Sequence, residues 1–567
     1  MGDKLAGSKL LFPSLLAFRF INSLLLRTHF EPDEYFQSVE VAMALILKKS
    51  VFTWEWFYGI RSAVFVGFFY LPLIAAKWVI GLGEDVLQGF RGQEVSLTNR
   101  REGVVFMAAA PYVVKAVCAL VSALGDYSTI QAYKTVYGIQ EAIPVEIVLA
   151  TAMNIGLWLY STRSHINSFE MAIGIYIGSR ILWAAQCKDK NSKKGSLFIT
   201  ASLSALLLYL RPTSIMITLP MWAWLLYDEV RKFSTVWRIA VERKEGRSKM
   251  WLATYLRHSR IITAKNLAAG LLVLGLCCLI DSLFYGEVTF TPYEFFRLNI
   301  ICKISHIFGV LPMHYVFLFF SVLMGGYTGM LAVSTINYQS IVFLAPMAYL
   351  VGHSLIMHKE MRFLLPAVPM FNIIVARNLK SVMNTPGSTG ILPAVKRLMF
   401  SKKVFVGNLI LGIIIGVEHQ NIRRPLSFLR EECTKHLLTK DSPLFILSTF
   451  KPYMLPMNTY LGHRRIITRT VDNNPNLTPW LTYLKKKKRF DSPKYPLVLE
   501  EHEIFSSRML DNIVRAGPLD YNFIVVDSQY EAEVEERLPQ FIKVHGSSHV
   551  RVPWVESVSI YKRAVSQ

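Results

Sequence analysis

Apolar runs long enough to cross a bilayer recur along the first 418 residues, and no other feature limits the fold of this chain so strongly. A helix needs about 20 apolar residues to span the hydrocarbon core. Such runs fall at 10–26, 62–82, 103–124, 144–160, 169–185, 266–286, 312–333, 339–357, 361–377 and 404–418. One more, 197–227, is too long for a single straight helix and is interrupted by Leu-Arg-Pro-Thr-Ser at 210–214. Pro212 cannot donate a backbone hydrogen bond, so we read this run as one span with a kink. The total is eleven spans. A mean hydropathy of +0.33 and 52% apolar residues exclude the string of soluble domains that 567 residues would otherwise allow.

Charge orients the spans. The net charge is +22, but the basic residues sit in loops between apolar runs, where membrane orientation explains them and nucleic-acid binding does not. The stretch 228–265 carries ten Lys and Arg and is read as cytoplasmic, as are 82–102, 162–168 and 378–403. The loops 29–61, 287–311 and 358–362, and everything after 418, then share the opposite side. The basic loop 187–196 is the exception, placed outside. The first run lacks a small-residue cleavage site and is followed by further spans, so it reads as a span and not as a removed signal. Six cysteines show no disulfide framework or metal-ligand spacing.

From 419 the pattern changes to short β-like stripes at 443–449, 495–501, 521–528 and 558–563, with helical spacing between them. The expected organisation is an all-α polytopic membrane domain, 1–418, followed by a small α/β domain, 419–567. Asn476 opens a glycosylation sequon, and 485–489 is a basic run that reads as a solvated or lipid-headgroup-facing loop.

The loop 29–61 joins Glu31, Asp33, Glu34, Glu40 and Glu55 to a set of aromatics that includes Trp54. Residues 32–41 read as a short helix: Pro32 suits the first position, and Asp33 and Glu34 occupy the first turn, where the dipole favours negative charge. Asp33, Gln37 and Glu40 would then share one face, while the adjacent Asp33 and Glu34 diverge by about 100°. Only one of that pair is expected to act as a base. Asp126 falls in a polar loop, 123–135, expected on the same side. The segment 302–316 holds His306 and His314, and the turn at 358–362 holds His358, Lys359, Glu360 and Arg362. Arg211 lies inside a span and needs a partner, either a structural salt bridge or a ligand. Taken singly, each has a plain structural reading as a helix cap, an interfacial histidine or a solvated turn. Delivered to one membrane face, carboxylates and cations suit transfer from a lipid phosphate: a carboxylate removes a hydroxyl proton, and cations stabilise the departing phosphate. No glycine-rich nucleotide loop and no DxD triplet is present.

Pro-Asp-Glu-Tyr-Phe-Gln-Ser-Val-Glu-Val-Ala at 32–42, Thr-Trp-Glu-Trp at 53–56 and Gly-Ile-Arg-Ser at 59–62 resemble the N-terminal signature of the endoplasmic-reticulum mannosyltransferases that use dolichyl-phosphate mannose, the GT22 family. Stretches 18–30, 124–128, 162–170, 210–214 and 358–363 look like the same family in the expected order. The resemblance covers roughly 10–377. It implies a GT-C fold with a lumenal active site, Asp33 as base with Glu34 as the alternate, and inverting single displacement. His358, Lys359 and Arg362 would hold the phosphate, and Gln37, Glu40, Trp54, Arg61, Asp126, Arg211, His314 and Glu360 would belong to the substrate site. It implies no metal and no cofactor beyond the donor lipid. The motifs look most like the members that add the third mannose of the GPI anchor through an α1,2 linkage, with fourth-mannose and N-glycan-precursor members as alternatives. The segment 306–316 and the C-terminal part depart from the family pattern. A transporter, which polar groups within spans also suit, is the alternative of another class.

Overall fold

The computed structural model describes residues 2–563 except 32, 49–51, 92–94, 141–142, 243–253, 256–258, 260, 262, 385–390, 419–422, 440–443, 449–456, 462–465, 471–521, 528–533, 537 and 547–557. Asn476, the basic run at 485–489 and the expected strand at 495–501 lie outside the described residues.

Helix α1 (Gly2–Leu25) leads to the end of the bundle that carries the acidic loop. The expected helix 32–41 is two pieces there, α2 (Asp33–Phe36) and α3 (Val39–Leu47), divided at Gln37 and Ser38. Local competition for backbone groups explains the break. The Trp56 indole donates to the Phe36 carbonyl at 3.1 Å, and the Ser38 hydroxyl turns away to the Ser164 carbonyl at 3.3 Å. Asp33, Gln37 and Glu40 therefore do not share one helical face. Helix α4 (Trp54–Phe57) completes the cap, which packs through Val39, Met43, Phe52 and Trp56 onto α5 (Ala63–Arg91) and α6 (Val95–Val136).

Helix α6 also corrects an expectation. The polar loop 123–135 is helical, and Asp126 is inside it. Arg19 of α1 binds both Asp126 carboxylate oxygens, at 2.6 and 2.9 Å, and the two side chains are 0% and 2% exposed. Each charge is neutralised by the other, so the helix has no need to break. Asp126 braces two helices and does not belong to a loop that converges on the site.

Helices α7 (Val145–Ala152) and α8 (Ile155–Tyr160) form one split pass, joined at Asn154, whose side chain accepts from the Leu157 amide. In lipid the gain comes from close contact between helices, and Gly156 shows it: a Cβ there would lie 2.6 Å from the Leu323 carbonyl oxygen. Helices α9 (Ile166–Gln186), α10 (Lys190–Leu210) and α11 (Ile215–Glu242) then run alternately up and down. Arg180 of α9 meets Ser196 of α10 at 3.0 Å, Trp222 of α11 meets Ser204 of α10 at 3.0 Å, and Lys232 of α11 reaches the Ala185 carbonyl at 2.9 Å. Residues 211–214 are thus a full reversal through a 3-10 turn and not a kink. This moves two loops. Residues 185–189 lie at the same end as Lys232, so the basic loop 187–196 ceases to be an exception. Segment 162–168, read as cytoplasmic, lies at the acidic end, where Arg163 pairs with Glu34 at 2.8 Å.

Helices α12 (Ala264–Tyr285), α13 (Tyr315–Met324), α14 (Tyr327–Ala332), α15 (Ile341–Leu355), α16 (Val368–Asn384) and α17 (Lys402–Glu418) complete the bundle. Among the described residues four helical stretches are long and apolar enough to cross a membrane: Ala63–Gly83, Gly103–Val136, Ala264–Tyr285 and Pro393–Val417. Tyr315–Met324 and Ile341–Leu355 are apolar but shorter. Length and apolarity alone account for fewer than the eleven spans expected, in part because passes are split, as at the left-handed Gly325 between α13 and α14.

Beyond the bundle, α18 (Arg423–Thr439) packs Leu426, Leu429, Cys433 and Leu437 against a five-stranded sheet of order β2-β1-β3-β5-β4. The strands are β1 (Leu444–Ser448), β2 (Ile466–Thr470), β3 (Phe523–Asp527), β4 (Phe541–Gly546) and β5 (Val558–Arg563). β1 pairs in parallel with β2 and β3, and β5 is antiparallel to β3 and β4. The stripes at 443–449, 521–528 and 558–563 correspond to β1, β3 and β5, whereas β2 and β4 are new. Between β1 and β2, α19 (Met457–Leu461) reaches back to the acidic cap. The Thr459 amide and hydroxyl both bind Glu40 Oε1, at 2.8 and 2.5 Å.

Candidate active site

The cap, the reversal at 211–214, the segment 295–308 and the turn 356–363 enclose a cavity of about 550 Å3. This size and partly apolar lining are typical of small-ligand sites. Nine of the residues expected at the site line it: Asp33, Gln37, Trp54, Arg61, Arg211, His358, Lys359, Glu360 and Arg362.

Arg362 is the centre of charge. Its Nη2 is 2.6 Å from Asp33 Oδ2, its Nε is 2.5 Å from Glu360 Oε2, and it pairs with Glu31 as well. Its Nη1 meets His165 Nδ1 at 3.4 Å. Guanidinium only donates, so His165 accepts here, and burial together with Arg362 and Arg163 holds its imidazole well below the usual range. A guanidinium held by Asp33, Glu360 and Glu31 has its donors committed, so Arg362 orients Asp33 more readily than it binds a phosphate. Asp33 Oδ1 has no hydrogen-bond partner among the described residues, and Asp33 is partly exposed to the cavity.

Glu31 and Glu360 are pushed in opposite directions by the same surroundings. Burial raises the Glu31 carboxyl well above the ordinary range, Glu360 and Asp33 reinforce the rise, and Arg362 offsets it only in part. Burial also opposes the charge on Glu360, but Arg362 and His358 outweigh it and hold this carboxyl low. His358 Nε2 is 2.7 Å from Glu360 Oε1, and its Nδ1 is 3.1 Å from the Gly309 carbonyl. Burial works against the imidazolium, yet the contact with Glu360 leaves its pKa raised.

Lys359 differs from Arg362. Its ammonium donates to the carbonyls of Leu311, at 2.8 Å, and of Ile356. No carboxylate pairs with it among the described residues, so its charge is directed but uncompensated, which suits an anionic ligand. Arg211 is paired with Glu170 at 2.7 Å, lies 4.9 Å over the Phe363 ring and still lines the cavity. On the opposite wall Arg61 binds Glu55, Gln37 donates to Glu55 at 3.2 Å, and Trp54 stacks on Phe308 at 6.2 Å.

Four expected residues are not in the cavity. Glu34 turns behind the cap to Arg163, which is also fixed by Thr28 and the Leu159 carbonyl. Glu40 is 1% exposed beneath Thr459, Asp126 is paired with Arg19, and His314 is exposed beside Tyr315. The adjacency of Asp33 and Glu34 does separate them, as the helical geometry requires: one faces the cavity and the other the interior. Arg163, His165 and Glu170 belong to the charge network without being expected there, as do Glu31 and Glu55, which the sequence marks only as carboxylates of the loop. For Arg163 and His165 the signal was present, since both stand in the stretch 162–170 that carries the family resemblance.

A helical membrane bundle whose loops gather carboxylates and cations over a cavity at one end has the architecture of a GT-C-type glycosyltransferase. The crystal structure of ArnT from Cupriavidus metallidurans bound to undecaprenyl phosphate superposes with a TM-score of 0.55, covering 98% of both chains at 13% identity, a likeness of fold. The chain belongs to the Alg9-like mannosyltransferase family, whose model matches residues 10–462. Its relatives include GPI mannosyltransferase 3 of Aspergillus fumigatus, 28% identical over 76% of this chain and 56% of the relative. GPI mannosyltransferase 3 of Yarrowia lipolytica is 29% identical over 66% of this chain and 62% of its own length. Human GPI alpha-1,2-mannosyltransferase 3 is 24% identical over 79% of this chain and 69% of its own length. The chain thus spans a little over half the length of the first two fungal relatives.

Proposed function

We propose that this chain is an endoplasmic-reticulum mannosyltransferase that moves mannose from dolichyl-phosphate mannose to a GPI-anchor precursor, adding the third mannose in α1,2 linkage. The cavity would open to the lumen. The observation that carries the reading is Asp33, held through one oxygen by Arg362 with the other unbonded, in the same cavity as the uncompensated Lys359.

In this scheme an acceptor hydroxyl approaches Asp33 Oδ1, which takes its proton as the oxygen attacks the anomeric carbon. The bond to the lipid phosphate breaks on the opposite face, which inverts the β-linked donor to an α-linked product. Lys359 stabilises the charge that grows on the leaving phosphate, a task that needs no metal ion. Arg362 fixes the Asp33 carboxylate, and Glu31 and Glu360 fix Arg362. Support for the acceptor comes from the names of the relatives and from the motifs at 32–42 and 53–62.

The test is transfer by purified protein from dolichyl-phosphate mannose to GPI and oligosaccharide lipid intermediates. Transfer to the two-mannose GPI intermediate is expected. Exclusive use of the three-mannose intermediate or of an N-glycan precursor would replace the acceptor assignment, and no transfer to any of them would overturn the reading.

A further inference from the structure

One wall of the cavity carries a group that the scheme above does not use. His353 stands in the last turn of α15, 3% exposed, and lines the cavity. Its Nδ1 is 3.0 Å from the Tyr349 carbonyl oxygen. A carbonyl oxygen can only accept, so Nδ1 carries the proton, and in the neutral ring Nε2 is left as an acceptor. Nε2 has no hydrogen-bond partner among the described residues. Thr53 and Thr213 repeat the pattern: each Oγ1 is buried, each residue lines the cavity, and neither hydroxyl has a partner among the described residues.

Buried polar atoms are almost always hydrogen-bonded, so unpartnered ones on three residues that line one cavity point to a ligand that draws them into bonds as it settles. Their chemistry narrows what it is. An imidazole lone pair requires a donor and is repelled by a bare phosphate, which offers only acceptor oxygens. Threonine hydroxyls can donate or accept. A ligand with several hydroxyls on a compact frame meets all three. The aromatic surface agrees: the Phe363 ring lies 6.5 Å from His353 and 5.9 Å from His358, so one apolar face links this wall to the charged turn.

We propose that His353 Nε2 accepts a hydrogen bond from a hydroxyl of the hexose in the cavity, with Thr53 and Thr213 as further hydroxyl partners. The cavity is then divided by chemistry: Lys359 meets phosphate, and His353 reads sugar. This inference rests on the mannosyl-transfer reading above. The hydroxyl belongs either to the donor mannose or to the sugar that accepts it, and the test separates the two.

The experiment measures kcat/KM for wild type, His353→Phe and His353→Gln with two series of substrates. One is dolichyl-phosphate mannose lacking one hydroxyl at a time. The other is the acceptor lacking one hydroxyl at a time. On wild type, loss of the recognised hydroxyl lowers kcat/KM by roughly three- to tenfold, the effect of one neutral hydrogen bond. In His353→Phe the same analogue and its parent become equal substrates, while all other ratios stay as in wild type. His353→Gln, whose amide extends about as far as Nε2, recovers part of the discrimination. Ratios within one variant do not depend on how much protein is folded, so a stability defect cannot imitate the result. The series in which the ratio collapses, donor or acceptor, identifies the sugar. If His353→Phe keeps every wild-type ratio in both series, the inference is overturned. If wild type transfers no mannose at all, the reading of function falls first, and this one with it.

Discussion

Arg362 Nη2 lies 2.6 Å from Asp33 Oδ2, joining the turn at 358–362 to the cap across 329 residues of sequence. The contact makes Arg362 a positioning residue for the proposed base. Arg362→Lys keeps a positive charge but loses the planar fork that reaches Asp33, Glu31 and Glu360 together. We expect kcat to fall by more than tenfold with KM for donor little changed, in steady-state transfer assays. A variant with normal kcat and a raised donor KM would return Arg362 to phosphate binding.

Asp33→Asn keeps the shape and removes the base. Transfer is expected to drop roughly 10²- to 10⁴-fold with donor binding retained. Glu34→Gln acts elsewhere. Its carboxylate is buried against Arg163, and removing one partner of a buried pair typically costs about 3–5 kcal/mol. The expected result is a lower unfolding temperature and lower protein yield, with the surviving enzyme active. A stable but inactive Glu34→Gln beside an active Asp33→Asn would exchange the two roles.

Lys359→Ala removes the only cavity cation described here without a carboxylate partner. A charged hydrogen bond is worth about 1.5–3 kcal/mol, so affinity for dolichyl phosphate should fall roughly 10- to 100-fold. Titration calorimetry or competitive inhibition by the product lipid reads this directly. Unchanged affinity in a folded variant would place the phosphate elsewhere.

The His358–Glu360 pair gives a pH signature. The folded His358 pKa is raised above its unfolded value near 6.5. Its stabilising contribution is therefore complete below that value and is lost as pH rises through the folded pKa. The difference in unfolding temperature between wild type and His358→Gln should be largest on the acid side of neutrality and shrink on the alkaline side. A difference independent of pH would mean that His358 acts by packing alone.

Much of the site was legible in the sequence because charge in a membrane protein has few places to stand. The acidic loop at 29–61 and the turn at 358–362 could only be surface loops, and their complementary charges are what marked them as one site, since the count of crossings between them changes once residues 211–214 reverse. What hydropathy could not show is how a charge inside an apolar run is compensated. Asp126 reads as a loop residue until Arg19 is seen 2.6 Å away. Residues 210–214 read as a kink, because an apolar profile records length and not direction. The hydrogen bonds at Lys232 and Ser196 decide for the hairpin, and that choice changes the side of two loops. Helical periodicity ran through Gln37 and Ser38 because the indole of Trp56, which captures the Phe36 carbonyl, is 20 positions further on.

The bond between Thr459 and Glu40 joins positions 419 apart. A ribosome makes the acidic cap 419 positions before the residue that ties it down. Membrane insertion of the early helices therefore precedes formation of this tie. Such distant pairing is slow to form in any chain. A form cut before Thr459 would carry all the charged groups of the cavity, yet would leave the buried Glu40 carboxylate without this partner. The acidic cap thus stays provisional until a segment made long after it arrives to dock.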